Sequence, residues 1–93
     1  MFRRRSSGHA PTRVTLYSKP SCHLCEDAHA LLQRLQKQNA LDIDVVDISS
    51  DPGLFRLYDI RIPVIRFADG TELGAPIQDD QLRRALKAHA RGQ

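Results

Sequence analysis

The feature that most constrains this sequence is a pair of cysteines placed where a predicted strand gives way to a predicted helix. The residues Cys22-His23-Leu24-Cys25 follow the β-prone segment Val14–Tyr17 and the turn-forming segment Ser18–Ser21. From Cys22 onward, apolar residues recur at helical spacing and polar residues fill the positions between them. The two thiols therefore lie one helical turn apart at a helix start, close enough to form a disulfide.

A helix start favours ionisation of the first cysteine. Unpaired backbone N–H groups and the positive end of the helix dipole stabilise a thiolate, so we expect the pKa of Cys22 to be lowered. Lys19, on the preceding loop, adds a positive charge. Cys25 falls nearer the apolar stripe of the helix, so we expect it to be more buried and less ionised. This asymmetry predicts that Cys22 attacks a substrate disulfide and that Cys25 then resolves the mixed disulfide.

The same cysteine pair fits two other interpretations. It could be buried and chemically inert, or it could supply ligands to zinc or an iron–sulfur cluster. Cys22, Cys25 and His29 share one helix face, but a closed zinc site needs a fourth ligand and the other histidines are poorly placed to supply it. We therefore expect no metal site. The alternative interpretation is a metal or iron–sulfur binding module that uses Cys22.

Hydrophobic periodicity and turn residues complete an α/β arrangement. The predicted helices and strands alternate in the order βαβαββα, with a parallel βαβ unit followed by an antiparallel hairpin. The second strand is expected to turn Leu41, Ile43 and Val45 inward, and the second helix to begin with a serine N-cap and to bury Leu54, Leu57 and Tyr58. The predicted elements are the strands Val14–Tyr17, Leu41–Ile48, Ile60–Phe67 and Thr71–Leu73, and the helices Cys22–Gln38, one near Pro52–Tyr58, and Asp79–His89.

The charge of the chain is concentrated at its start. The 93 residues carry a net charge of +3, but four arginines and no acid lie within Met1–Arg13, which leaves ten basic and eleven acidic residues in the rest. We expect residues 1–12 to be a disordered basic tail in front of one domain, residues 13–90. The near-neutral domain argues against a nucleic-acid partner, and the short apolar runs argue against a membrane. No apolar stretch follows the arginines as in a secretory signal, so we expect a cytoplasmic protein.

These features together resemble a known family. The segment Tyr17–Cys25, the Ile62-Pro63-Val64 segment and the hairpin turn at Asp69-Gly70 are similar to those of glutaredoxin-like members of the thioredoxin-fold superfamily. The resemblance spans residues 13–90 and implies a thioredoxin-like βαβαββα fold, a four-stranded mixed sheet flanked by three helices. It also implies that the Ile62–Pro63 peptide bond is cis, which would turn the Ile62 backbone toward Cys22 to pair with an extended substrate or glutathione.

The resemblance further implies a thiol-disulfide oxidoreductase that reduces protein or glutathione-mixed disulfides. Its catalytic residues would be Cys22 and Cys25, with Lys19, Ile62 and Pro63 binding the substrate or glutathione. No tightly bound cofactor is expected. Glutathione would be a co-substrate, and an external reductant, either glutathione or a thioredoxin-reductase-type system, would return the pair to the dithiol. We expect a monomer whose partners are disulfide-containing proteins or glutathione, with a non-catalytic binding domain as a further alternative.

Some family positions are occupied differently in this chain. His23 and Leu24 stand between the cysteines where proline and tyrosine are usual, and Arg61 replaces a threonine. Asp79 and Asp80 lie three residues late for the carboxylate that holds the γ-glutamyl end of glutathione, so they are weak candidates. Arg56 and Arg61 are candidates for binding a carboxylate, although an arginine on a helix surface is the more common role.

Overall fold

A four-stranded sheet with helices on both faces positions the cysteine pair. The computed structural model describes residues 11–92. The elements are β1 (Thr12–Ser18), α1 (His23–Gln36), β2 (Leu41–Asp47), a 3₁₀ turn (Ile48–Ser50), α2 (Pro52–Tyr58), β3 (Val64–Phe67), β4 (Glu72–Gly74) and α3 (Asp79–Gly92). The predicted βαβαββα order is thus confirmed. Of the predicted basic tail, residues 1–10 lie outside the described residues, and Thr12 already belongs to β1.

The strand order places the first strand in the interior of the sheet. The order is β2-β1-β3-β4, in which β1 runs parallel to β2 and antiparallel to β3, and β3 runs antiparallel to β4. This confirms the parallel βαβ unit and the antiparallel hairpin. Gly70 turns the hairpin with a φ of 92°, a left-handed conformation that glycine adopts without steric cost. Because β1 is paired on both sides, the loop that leaves it toward α1 starts from a fixed point.

Two apolar clusters fill the two faces of the sheet. Alternation along β1 sends Val14 and Leu16 to the face that α1 and α3 cover, and Tyr17 to the face that α2 partly covers. The predicted face of α3, Leu82 with Leu86, is buried in the larger cluster. The larger cluster also contains Ala28, Leu31, Leu32, Leu35, Leu41, Ile65 and Phe67, and the smaller one contains Ile48, Tyr58 and Val64. Among the helices of residues 11–92, none has the length and apolar character that crossing a bilayer requires.

Two predictions about α2 are wrong. The N-cap is Asp51 rather than a serine, because its carboxylate oxygen accepts from the backbone N–H groups of Gly53, at 2.9 Å, and Leu54, at 3.1 Å. Leu57 does not face the sheet and is 62% exposed. With only seven residues in α2, Leu54 and Tyr58 are enough to fill the contact with the sheet.

The third strand begins later than predicted, at Val64 rather than Ile60. The intervening residues continue α2 as a turn, because the carbonyl oxygen of Tyr58 accepts from the N–H of Arg61, at 2.8 Å, and from the N–H of Ile62, at 3.0 Å. Ile60 lies at the outside of this turn and is 95% exposed.

The pattern of inward-facing residues in β2 is only partly as predicted. Leu41 is buried and Ile43 is half-buried, but Val45 is 44% exposed. Since β2 is an edge strand, the sheet continues on only one side of it. Alternation along β2 indicates on which face of the sheet Val45 lies, but it does not show how much of that face the helices cover.

The larger cluster is tested by shortening one of its fully buried members. Leu32 is completely shielded from solvent in α1, so we expect Leu32→Ala to lower the free energy of unfolding by about 2–5 kcal/mol in urea titrations. Leu57→Ala makes the same change at an exposed site and should cost about 0.5 kcal/mol or less. Equal losses in the two variants would contradict the core assignment.

Candidate redox site

The sulfur of Cys22 lies at the N-terminus of α1, beside the backbone of the first helical turn. Cys22 is the N-cap residue, with extended backbone angles (φ −103°, ψ 104°), and Ser21 before it has a left-handed φ of 63°. The Cys22 sulfur accepts the backbone N–H of Cys25 at 3.2 Å, and the Cys22 carbonyl accepts the N–H of Glu26 at 3.0 Å. Cys22 therefore takes the place of the serine or aspartate that usually caps a helix.

The two cysteines differ in their access to solvent. They form a disulfide, with their Cα atoms 5.2 Å apart. Cys25 is 3% exposed and packs on the buried side of α1, whereas Cys22 is half-buried. The predicted difference in burial is confirmed. An incoming thiolate therefore reaches Cys22 more readily than Cys25.

The loop before β3 brings Pro63 to the cysteine helix. The Ile62–Pro63 bond is cis, as expected, and Pro63 is fully buried. Pro63 lines a groove of about 140 Å³ with the first turns of α1, including exposed Leu24, and with the segment Ala75–Ile77. The N–H of Ile62 donates to the Tyr58 carbonyl at 3.0 Å, so this backbone donor is already paired within the protein.

A second cis peptide bond, Ala75–Pro76, lines the same groove beside Pro63, because Gly74 pairs with Val64 across β3 and β4. No pattern in the sequence predicts this cis bond. An X-Pro pair after a strand marks the end of that strand, but the pair does not reveal which isomer the fold selects.

Lys19 has a partner that the sequence analysis did not anticipate. Its Nζ lies 2.8 Å from Oδ1 of Asp59, the C-cap residue of α2, and 5.7 Å from the centre of the Phe55 ring. The positive charge that we expected to act on Cys22 is therefore shared with a carboxylate. Asp59 is forty positions away in the chain, so only the tertiary fold brings the two side chains together.

Arg61 is also engaged within the protein. Its guanidinium lies 2.8 Å from Oε1 of Glu72 and 5.0 Å from the centre of the Tyr58 ring. The Tyr58 hydroxyl donates to the other carboxylate oxygen at 2.6 Å. The hydrogen bonds from Tyr58 and Arg61 lower the pKa of Glu72, and the bond to Glu72 raises the pKa of Tyr58. This network ties the turn before Pro63 to β4, which makes Arg61 a structural residue.

The remaining candidate binding residues are Asp79, Asp80, Arg56 and His29. Asp79 pairs with Arg83, and Asp80 pairs with Arg84 at 3.2 Å, one turn along α3 in each case. Arg56 is an exposed side chain of α2. His29 is half-buried in α1, and residues 11–92 contain no group of three or more histidine, cysteine, aspartate or glutamate side chains close enough to hold a metal ion.

A mixed four-stranded sheet, a CxxC disulfide at the start of the first helix and a cis-proline beside that helix define a thioredoxin-fold protein. Residues 13–87 match the model of the family described as Glutaredoxin-like domain (DUF836). The chain belongs to this family.

Two similar solved structures come from structural genomics. The crystal structure of protein XcR50 from X. campestris is 36% identical, covers 81% of this chain and 96% of its own, and superposes with a TM-score of 0.72. The solution structure of Ne2328 from Nitrosomonas europaea is 30% identical, covers 92% and 99%, and has a TM-score of 0.71.

Other comparisons bear on the fold alone. A mutant thioredoxin from Halobacterium salinarum is 19% identical over 87% of this chain and 76% of its own, with a TM-score of 0.70, which supports the fold. No curated protein matches the chain.

The difference in burial leads to a prediction about thiol reactivity. In the reduced native protein at neutral pH, we expect iodoacetamide to modify Cys22 much faster than Cys25, because each unit by which a thiol pKa falls raises the thiolate fraction about tenfold. Peptide mass spectrometry of time points gives the two rates. In urea-unfolded protein the rates should converge. Equal modification rates of Cys22 and Cys25 in the native protein would contradict the predicted difference in their reactivity.

The ion pair beside the redox loop predicts opposite effects of its two members. Lys19→Ala leaves the Asp59 carboxylate without its partner and should raise the pKa of the Cys22 thiol, whereas Asp59→Asn frees the Lys19 charge and should lower that pKa. The ultraviolet absorbance of the thiolate, followed against pH in a Cys25→Ser background, measures both shifts. Unchanged titrations would leave the helix terminus as the sole cause of Cys22 ionisation.

Proposed function

We propose that this protein is a thiol-disulfide oxidoreductase that reduces disulfides of proteins or mixed disulfides with glutathione. One observation carries the proposal: an accessible cysteine caps α1 and is joined to a buried cysteine one turn further on. Such a pair can reduce a substrate disulfide and then release the substrate, because the buried cysteine breaks the mixed disulfide between the substrate and the accessible cysteine.

The reaction has two exchanges. The Cys22 thiolate attacks one sulfur of a substrate disulfide, a bond forms between Cys22 and that sulfur, and the other substrate sulfur leaves as a thiolate that takes up a proton. The Cys25 thiol then loses its proton and attacks the Cys22 sulfur, which releases the second substrate thiolate. The substrate gains two electrons, and the protein ends as the Cys22–Cys25 disulfide seen in the structure.

The backbone of α1 assists the exchange in both directions. The N–H of Cys25 points at the Cys22 sulfur and stabilises negative charge there. This contact raises the thiolate fraction of the attacking group. It also makes Cys22 a good leaving group when a reductant attacks the oxidised pair, because thiols of lower pKa leave faster. The Ile62 carbonyl, beside Pro63, would accept a backbone N–H of the bound substrate and hold its sulfur in line.

The electrons for the next cycle come from another molecule. The sequence contains two cysteines, and both belong to the redox pair. We propose an external thiol as the reductant, either glutathione or a dithiol from a thioredoxin-reductase-type system. With glutathione, Lys19 would exchange its Asp59 partner for the glycine carboxylate of the ligand.

Single cysteine variants test the assigned roles. Cys22→Ser should reduce turnover of a glutathione-mixed disulfide to background, because it removes the nucleophile. Cys25→Ser should retain part of the activity, since a second glutathione can attack the mixed disulfide in place of Cys25. The assay is thiol release from a glutathionylated peptide, with circular dichroism to confirm that both variants fold. Activity in Cys22→Ser but not in Cys25→Ser would refute the assignment.

A further inference from the structure

A concave surface with apolar side chains lies on α2, next to Lys19 of the loop that leads to the redox pair. We call it the α2 patch; it is a depression of about 630 Å³ lined by Ser49, Pro52, Phe55, Arg56, Asp59 and Ile60. Ile60 is 95% exposed and Phe55 is 39% exposed. Single exposed apolar side chains are ordinary, but here two of them line the same depression.

The α2 patch borders both segments that form the redox site. Lys19 contacts Asp59 and the Phe55 ring, and it precedes Cys22 by three residues, so the Cα atoms of Lys19 and Cys22 lie within about 11 Å. Ile60 precedes Pro63 by the same number of residues and lies within the same reach. A polypeptide whose sulfur is bonded to Cys22 therefore needs only a few extended residues to enter the α2 patch.

The apolar side chains of the α2 patch are not explained by folding. Leu54 and Tyr58 are the α2 residues that pack against the sheet, whereas Phe55 and Ile60 belong to neither apolar cluster. Ile60 lies on a turn where a polar residue would leave less apolar surface in water. The cost of exposing these side chains points to a partner that covers them.

The charge of the α2 patch indicates what else the partner carries. Asp59 is neutralised by Lys19. The ion pairs formed within residues 11–92 do not include Arg56, which leaves its guanidinium as the uncompensated charge of the patch. A carboxylate is its natural complement. Glutathione offers a carboxylate but no large apolar side chain, so it would leave Phe55 and Ile60 uncovered.

We infer that the α2 patch docks a substrate protein through a segment, close to the reacting disulfide, that combines a large apolar side chain with an acidic one. This inference rests on the proposed function, because it requires Cys22 to attack a disulfide of the same segment. It narrows the proposed substrates from protein and glutathione-mixed disulfides to protein disulfides. The apolar side chain fills the depression between Phe55 and Ile60, and the acidic side chain pairs with Arg56.

Peptide substrates test the inference. Each short peptide carries one cysteine in a mixed disulfide with a chromophoric thiol, and a Leu-Asp pair placed at every spacing that an extended chain can bridge. Matched peptides replace the leucine with serine or the aspartate with lysine. With the reduced wild-type protein, we expect at least one Leu-Asp peptide to react about tenfold faster than its serine counterpart, as burial of one leucine side chain would give.

Variants of the protein show whether residues of the α2 patch cause the preferences for leucine and aspartate. Ile60→Ser should abolish the preference for leucine over serine. Leu57→Ser should keep it, because Leu57 is likewise exposed and aliphatic but does not line the α2 patch. Arg56→Glu should invert the charge preference, so that the Leu-Lys peptide reacts faster than the Leu-Asp peptide. Such an inversion does not follow from a general loss of structure.

Two further measurements separate the possible failures. If the wild-type protein does not reduce hydroxyethyl disulfide, the proposed function itself fails. If it reduces this small disulfide but reacts equally fast with all peptides, the docking inference is overturned and the oxidoreductase remains. If sedimentation shows wild-type self-association that Ile60→Ser removes, the α2 patch joins copies of this chain, which also overturns the docking of a substrate.

Discussion

The candidate redox site depends on one contact, the backbone N–H of Cys25 donating to the sulfur of Cys22 at the first turn of α1. A sulfur in that position receives both a hydrogen bond and the positive end of the helix dipole. The contact holds only if α1 is fixed, and buried residues such as Leu32 fix it against the sheet. It also needs a rigid approach, which β1 supplies because strands pair with it on both sides. The larger apolar cluster thus helps to keep the Cys22 sulfur in place.

The second face of the sheet shapes what can approach that sulfur. Tyr58 stacks on Tyr17 with ring centres 4.4 Å apart and donates to Glu72, which in turn holds Arg61. These contacts fix the turn that leads into Pro63. The same turn places Ile60 in solvent at the rim of the α2 patch. The elements that hold the cis-proline loop therefore also present the α2 patch.

The parts of this structure that depend on local pattern could be predicted from the sequence, and the parts that depend on distant partners could not. The strand, loop and helix around Cys22 follow from spacing and turn residues, and the cis bond before Pro63 follows from the family resemblance. The Lys19–Asp59 pair joins residues forty positions apart, so no local signal reveals it. Periodicity identified the apolar residue Leu57 but could not show that so short a helix leaves it uncovered. The patch at Ile60 was hidden for a similar reason, because the residue was assigned to a strand that begins four positions later.

The central claim is that Cys22 and Cys25 form a reversible redox pair. The most direct test is the reduction potential of the pair, obtained by equilibrating the protein in defined thiol buffers, trapping free thiols with a maleimide and counting labels by mass. We predict a single transition of two thiols between about −180 and −270 mV, the range from protein disulfide isomerase to thioredoxin. Failure to form the intramolecular disulfide in any buffer, or thiols that react only after a chelator is added, would contradict the redox account and favour metal binding.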